Sequence, residues 1–119
     1  MNDIKDEIKK IKYQLSVIAE CIDYEKNPIP SLILYLDWGD DELNKAHDIF
    51  ELFETKLEKN EDISWGEFEG MFQKELNIGY QRLKSIVLSF YRNHQWISVC
   101  IAYAKANECM EFHIITKNN

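Results

Sequence analysis

Apolar residues near the start of the chain recur at alternating spacings of four and three positions. We call this set the seam; it comprises Ile4, Ile8, Ile11, Leu15, Ile18 and Ile22. Such heptad spacing places apolar side chains in one stripe along a helix and is typical of coiled coils. The pattern therefore predicts a long coiled-coil-like helix over residues 2–24 that associates with copies of the same chain.

The residue types around the seam indicate how the copies associate. Isoleucine occupies the heptad d positions at Ile4, Ile11 and Ile18, which disfavours two strands and favours three or four. Glu7 at position g and Lys12 at position e attract each other between neighbouring parallel helices. We predict a parallel homo-oligomer in which a trimer is preferred over a dimer or a tetramer.

The other faces of this helix change character along its length. Before Lys12 they are charged, whereas a second apolar stripe begins at Tyr13 and continues through Val17, Cys21 and Tyr24. We expect the second half of the helix to pack against its own domain and the first half to project. The alternative is that the seam packs within its own bundle, as the apolar stripes of many globular helices do.

Prolines and turn residues divide the rest of the chain into shorter elements. Pro28 and Pro30 end the first helix because proline cannot continue the hydrogen-bond ladder. A short apolar element then runs from Pro30 or Ser31 to Trp38, and its periodicity does not distinguish a helix from a strand. Further helices are predicted over residues 40–59, 65–76, 80–91 and 95–107. Their spacing predicts as buried Leu43, Ala46, Ile49, Phe50, Phe53, Leu57, Phe68, Met71, Phe72, Leu76, Leu83, Ile86, Val87, Phe90, Trp96, Val99, Cys100, Tyr103 and Ala104.

The predicted architecture is all-α, with a long N-terminal helix followed by a compact bundle and about six helices in total. At 119 residues the chain has room for one domain. Residues 1–24 are its oligomerisation helix, residues 25–107 its helical core and residues 108–119 its tail. Phe112, Ile114 and Ile115 are able to pack back onto the core, and residues 117–119 are expected to fray.

Charge and cysteine usage narrow the range of partners. The formal net charge is -7. An acidic surface repels phosphate backbones and anionic lipids, so neither nucleic acid nor a membrane is an expected partner. The three cysteines form no CxxC pair and indicate free thiols of a reducing compartment. Because the first residues are acidic and lack a secretory profile, we expect a cytoplasmic protein.

Residues 56–67 have some features of a calcium-binding EF-hand loop, with Glu67 in the place of the bidentate ligand. This alignment puts Lys56 where the first acidic ligand belongs, and a cation there is incompatible with calcium. Ser64 and Glu67 instead form a capping box, which predicts that a helix starts at Trp65.

The remaining candidates for chemistry are incomplete. His47 with Glu51, and Cys109 with His113, each supply two groups, whereas a structural metal site needs about four. Cys100 lies on an apolar helix face, where a thiol stays protonated and inert. The sequence contains neither a Gly-rich phosphate loop nor a nucleophile-elbow motif. We therefore predict no catalytic residue, no metal and no cofactor, and do not expect an enzyme.

Several features between residues 8 and 106 follow a recognisable order. They are the apolar seam around Tyr13, Asp23 and Pro28 at the exit of the first helix, Asp37-Trp38-Gly39 before an acidic helix, the 65–72 helix, and the helix pair around Phe90, Tyr91 and Trp96. In this order the chain resembles the YhaI-like domain family, small all-helical proteins of Bacillus and its relatives without an assigned activity. The resemblance implies an all-α fold and an oligomer and supplies no catalytic residue. The chain departs from the family in its longer C-terminal tail.

Acidic residues along the third predicted helix are a candidate surface for a partner. We call them the acidic face; they are Asp40, Asp41, Asp48, Glu51, Glu54 and Glu58. Such a face can mimic nucleic acid or block a basic site, although a solvated helix surface has the same composition. We expect a non-catalytic, homo-oligomeric protein of a bacterium or its phage that regulates or inhibits another protein. The alternatives are a DNA-binding regulator that uses Arg82 and Lys84, and a small enzyme with an unrecognised site around His47.

Overall fold

The computed structural model describes residues 2–117, and within them the fold is all-α, as predicted. The short apolar element is a helix, and the tail adds a 3₁₀ turn and a last short helix to the predicted set. The elements are α1 (Asn2–Glu20), α2 (Pro28–Leu36), α3 (Asp40–Glu58), α4 (Trp65–Leu76), α5 (Tyr80–Arg92), α6 (Ile97–Ala106), the 3₁₀ turn Met110–Phe112 and α7 (His113–Thr116). The predicted fraying of residues 118 and 119 lies outside the described residues.

The prediction was wrong about where the first helix ends and the second begins. The first helix stops at Glu20 rather than at residue 24, and α2 begins at Pro28 rather than at Pro30. Proline suits the first turn of a helix because the amide groups there have no partner within the helix. Residues 21–27 therefore form a non-helical connection between α1 and α2.

Side chains at the helix starts fix where α3 and α4 begin. The Gly39 amide donates to Glu42 Oε1 at 2.6 Å, and the Glu67 amide donates to Ser64 Oγ at 3.2 Å. The second bond confirms the cap at Ser64, whereas the reciprocal bond of the predicted capping box, from the Ser64 amide to the Glu67 carboxylate, is not among the bonds of the described residues. The Glu67 carboxylate lies 3.5 Å from the Lys56 ammonium. The residues at the two ends of the rejected calcium loop therefore form an ion pair with each other.

Aromatic rings from α3, α4 and α6 form the centre of the core. Phe68 lies 5.3 Å from Phe50, 5.0 Å from Phe53 and 5.2 Å from Tyr103, measured between ring centroids. Most of these rings meet edge to face, the arrangement that their quadrupoles favour. The burial predicted for α5 is confirmed. Five residues that were predicted to be buried are only half-buried and lie at the edge of the core: Leu43, Leu57, Met71, Leu76 and Trp96.

The C-terminal residues pack against this core. Phe112 and Ile115 are fully buried, whereas Ile114 points largely into solvent. The Phe112 ring lies 5.9 Å from Tyr103. A salt bridge of 3.7 Å between Lys84 Nζ and Glu111 Oε1 holds the 3₁₀ turn against α5. Residues 110–116 are therefore an ordered part of the bundle.

The molecule is elongated because α1 extends away from the bundle. Its principal dimensions are 57 × 28 × 20 Å. The radius of gyration is 16.6 Å, whereas a compact domain of this length has about 13.5 Å. With 19 residues, α1 spans about 28 Å, which is roughly half of the long dimension.

Candidate functional site

The seam on α1 is exposed in the single chain. Ile4 is the most exposed of its helical members, at 65%, and Ile8 the least exposed, at 49%. Ile22 lies beyond the end of α1 and is half-buried. Contiguous apolar surface of this kind on a monomer marks a site of interaction with protein or membrane. The structure therefore brings the helical seam residues together on one open face.

The prediction that the second half of α1 packs against its own domain was wrong. Tyr13 is 70% exposed, and Val17 and Cys21 are also exposed. The reason is the early end of α1, since the connection over residues 21–27 does not bring the helix alongside the bundle. Tyr24, within this connection, does contact the bundle through the Arg92 guanidinium, 5.4 Å from its ring. The second half of α1 thus exposes two apolar faces.

The charged residues beside the seam are also exposed. Glu7 and Lys12 both face solvent. Within residues 2–117, neither takes part in a salt bridge. The predicted attraction between Glu7 and Lys12 of neighbouring helices stays a prediction.

The acidic residues of α3 share one side of the helix. At about 100° per residue they spread over an arc of about 140°, from Asp41 and Asp48, which lie opposite the buried face, to Glu54, which lies next to Phe50. All are exposed except Glu54, which is half-buried. Among the described residues, the salt bridges formed are Lys56–Glu67 and Lys84–Glu111, so none of them neutralises this face. No residue of the acidic face therefore forms a salt bridge within the part of the chain that the structure describes.

His47 is held by an aromatic contact rather than by a carboxylate. The Trp96 indole donates from Nε1 to His47 Nδ1 at 2.9 Å, and the Phe90 ring lies 5.0 Å from the imidazole. Burial lowers the pKa of His47, because desolvation disfavours the imidazolium, and nearby Asp48 opposes this in part. The indole therefore occupies one of the two ring nitrogens of His47. No group of three potential metal ligands occurs among residues 2–117.

No pattern in the sequence predicts the contact between His47 and Trp96. The two residues are 49 positions apart. They meet because both His94 and Trp96 adopt left-handed backbone conformations, with φ of 58° and 53°, in the connection before α6. Such backbone geometry is uncommon outside glycine and is not encoded by periodicity.

Cys100 and Cys109 carry no activated thiol. Cys100 is fully buried, and this burial raises its pKa to about 12. Partial burial and a hydrogen bond to Glu111 also raise the pKa of Cys109. Both thiols are protonated at neutral pH, whereas a reactive cysteine needs a lowered pKa. The inert interpretation of Cys100 agrees with its position.

The cations of the possible DNA-reading helix have partners inside the protein. Lys84 is only 8% exposed, pairs with Glu111, and lies 4.6 Å from the centre of the Tyr80 ring. Arg82 lies over the Tyr35 ring at 5.9 Å. Lys84 is therefore unable to reach a phosphate without leaving its ion pair.

These features define an all-α protein with a compact aromatic bundle and a projecting apolar helix. Comparisons with protein-family models, curated proteins and solved structures find no match to this chain. The resemblance to the YhaI-like family therefore stays a prediction. None of the helices within residues 2–117 combines the length and apolar character needed to cross a membrane.

Proposed function

We propose that this chain is a non-catalytic protein-interaction module of the bacterial cytoplasm that assembles with itself and regulates or inhibits another protein. The observation that carries the proposal is the exposure of the seam on a helix that extends away from its own bundle. A coiled coil supplies a partner for such a stripe, and copies of this chain carry a matching one.

The energetics favour association of several copies. Burial of an isoleucine or leucine side chain contributes about 1.5–3 kcal/mol. Because the exposed seam residues Ile4, Ile8, Ile11, Leu15 and Ile18 are about half exposed, their burial contributes about 4–8 kcal/mol for each chain. This gain is comparable to an association cost of about 4–15 kcal/mol, and each further chain adds to it. Isoleucine at the d positions supports three strands, and attraction between Glu7 and Lys12 supports parallel packing.

The seam is tested by charge substitutions on opposite faces of α1. We expect Ile8→Lys with Leu15→Lys to give a monomer, because each lysine places a charge in the centre of the coiled coil. Val17→Lys is the matched control, since it adds charge to the same helix outside the seam. Sedimentation velocity measures the mass of each variant. A monomeric native chain at every concentration overturns the proposed assembly, and a dimeric mass overturns the trimer alone.

The second part of the proposal assigns the partner to the acidic face. Its carboxylates form no salt bridge within residues 2–117 and suit a basic surface on another protein, because charge complementarity increases both association rate and specificity. Affinity purification from the native host identifies the partner.

The acidic face is then tested by charge reversal. Glu51→Lys with Glu54→Lys is expected to weaken binding of that partner at least tenfold. Glu61→Lys with Asp62→Lys is the control, because it makes the same change in net charge on an exposed loop outside the acidic face. Equal affinity of the two double variants overturns this assignment.

A further inference from the structure

A hollow of about 300 Å³ lies between α2 and α5, beside the connection that follows α1. We call it the α2–α5 groove. Its α2 side consists of Pro28, Ser31, Leu32 and Tyr35, and Tyr24 closes one end. Its α5 side consists of Ser85, Leu88, Ser89 and Arg92. On each helix these residues recur at the three- and four-residue spacing of one helical face, so two mostly uncharged stripes face each other.

Ser31 contributes an unusual polar group to this groove. It also borders a second hollow of about 290 Å³, which shares the rings of Tyr24 and Tyr35. The Ser31 hydroxyl is shielded from solvent and has no hydrogen-bond partner among residues 2–117. A serine within a helix commonly bonds the carbonyl of the preceding turn, and a buried hydroxyl without any partner costs stability. The hydroxyl therefore retains an unused donor beside the groove, and a ligand reaches it only when the Ser31 side chain turns toward the opening.

Both of the chain's arginines lie on tyrosine rings of this groove. Arg92 stacks on Tyr24 at 5.4 Å and Arg82 on Tyr35 at 5.9 Å. Within residues 2–117 neither forms a salt bridge, although the chain has 21 acidic and 14 basic residues. A guanidinium that stacks on a ring keeps its N–H groups in the plane, where they bind a carboxylate in a bidentate manner.

We propose that the α2–α5 groove binds a small amphiphile with an apolar body and one anionic head group, of the chemical class of medium-chain carboxylates. The apolar body packs on Leu32 and Leu88, the carboxylate pairs with Arg92, and the Ser31 hydroxyl donates to it. Ligand pockets commonly range from about 300 to about 1,000 Å³, so this volume favours a short chain over a long one. The groove shares no residue with the acidic face, and of the seam only Ile22 comes near it, in the neighbouring hollow.

The probe is octanoate, added to the isotope-labelled full-length protein and followed by amide NMR. We expect saturable shifts of α2 and α5 resonances, and a loss of affinity of at least tenfold in Arg92→Gln. Lys74→Gln is the matched control, because it removes one exposed cation from α4 and is expected to bind octanoate as the native chain does. Octyltrimethylammonium has the same tail and the opposite charge, and we expect it not to displace octanoate.

Ser31→Ala separates a binding role from a packing role. We expect it to weaken octanoate binding and, because it removes the unpartnered hydroxyl, to raise the melting temperature of the ligand-free protein. The proposal is overturned if millimolar octanoate causes no saturable shift, if Arg92→Gln binds octanoate as tightly as the native chain does, or if the octyl cation displaces octanoate. Shifts confined to α1 also overturn it, because they show octanoate on the exposed seam instead.

Discussion

The projecting helix and the aromatic bundle have the same kind of apolar spacing, but their apolar side chains differ in burial. In α5, Leu83, Ile86 and Phe90 are buried, whereas Ile4 and Ile11 on α1 remain exposed in the single chain. Apolar periodicity indicates that one face of a helix is buried by packing against another surface. It does not indicate whether that surface belongs to the same chain or to another molecule.

Chain connectivity and side-chain type account for the difference. Short connections return α4 onto α3 and α6 onto α5, which places their apolar faces against each other. The connection over residues 21–27 does not do this for α1. The bundle faces carry large rings, whose burial contributes most to a monomeric core. The seam carries isoleucine and leucine, which fit the regular holes of a coiled coil.

The largest expected effect comes from truncating the ring at the centre of the bundle. Phe68→Ala should lower the free energy of unfolding by about 3–5 kcal/mol, because it removes a fully buried ring and leaves a cavity. Urea unfolding followed by circular dichroism measures the loss. Leu52→Ala, at an exposed position of α3, should change it by less than about 0.5 kcal/mol. Similar losses in both variants contradict the packed aromatic core.

The second effect concerns the C-terminal segment. Phe112→Ala should cost about 2–3 kcal/mol, below the value for Phe68, because a terminal segment can open locally and limit the loss. Met110→Ala is the control from the same turn, since Met110 is 81% exposed. Hydrogen exchange of the α7 amides shows whether the segment has detached. A stability loss of the same size in both variants is incompatible with the docked position of Phe112.

The third effect separates the seam from the core by its dependence on protein concentration. Ile11→Ala should reduce stability by about 1 kcal/mol or more where the chains are assembled, because it removes buried methyl groups between helices. At dilution to monomers the loss should fall below about 0.5 kcal/mol. Thermal unfolding over a range of concentrations measures both limits, with Val17→Ala as the control on the opposite face. A loss that is independent of concentration shows that the seam is covered within its own chain.

Most of the bundle could be predicted because backbone geometry sets the helical period. The positions of Phe50, Phe68 and Phe90 on inward faces follow from spacing alone, and the cap at Ser64 follows from local hydrogen bonding. The tail was ambiguous, because one 3₁₀ turn rotates Phe112 and Ile115 inward and leaves Ile114 outward. Such a rotation depends on contact with the core and not on the local pattern.

The contacts between distant segments could not be predicted. The seam and the acidic face were visible in the sequence as patterns, and the structure shows their placement. The α2–α5 groove depends on how α2 crosses α5 and on the stacking of Arg92 on Tyr24, which no local pattern specifies. The exposure of the second stripe on α1 likewise depends on where the chain turns after Glu20.

The smallest expected effect is a pH dependence centred on His47, the contact that joins α3 to the start of α6. Burial lowers its pKa in the folded protein below the ordinary value of 6.5. The unfolded chain therefore binds the proton first as pH falls, so the stabilisation is complete above this value and is lost progressively below it. Protonation also removes the acceptor that Nδ1 presents to the Trp96 indole.

His47→Asn tests this linkage, because its side-chain oxygen retains an acceptor for Trp96 and does not titrate. The free energy of unfolding is measured between about pH 8 and about pH 5, where histidine changes its charge. We expect the native chain to lose more stability over this range than His47→Asn does. Asn44→Gln, at an exposed position of α3, changes no titratable group and should keep the native slope. If His47→Asn also keeps that slope, the contact between α3 and α6 does not depend on a neutral imidazole, and the bundle tolerates the charge that its burial disfavours.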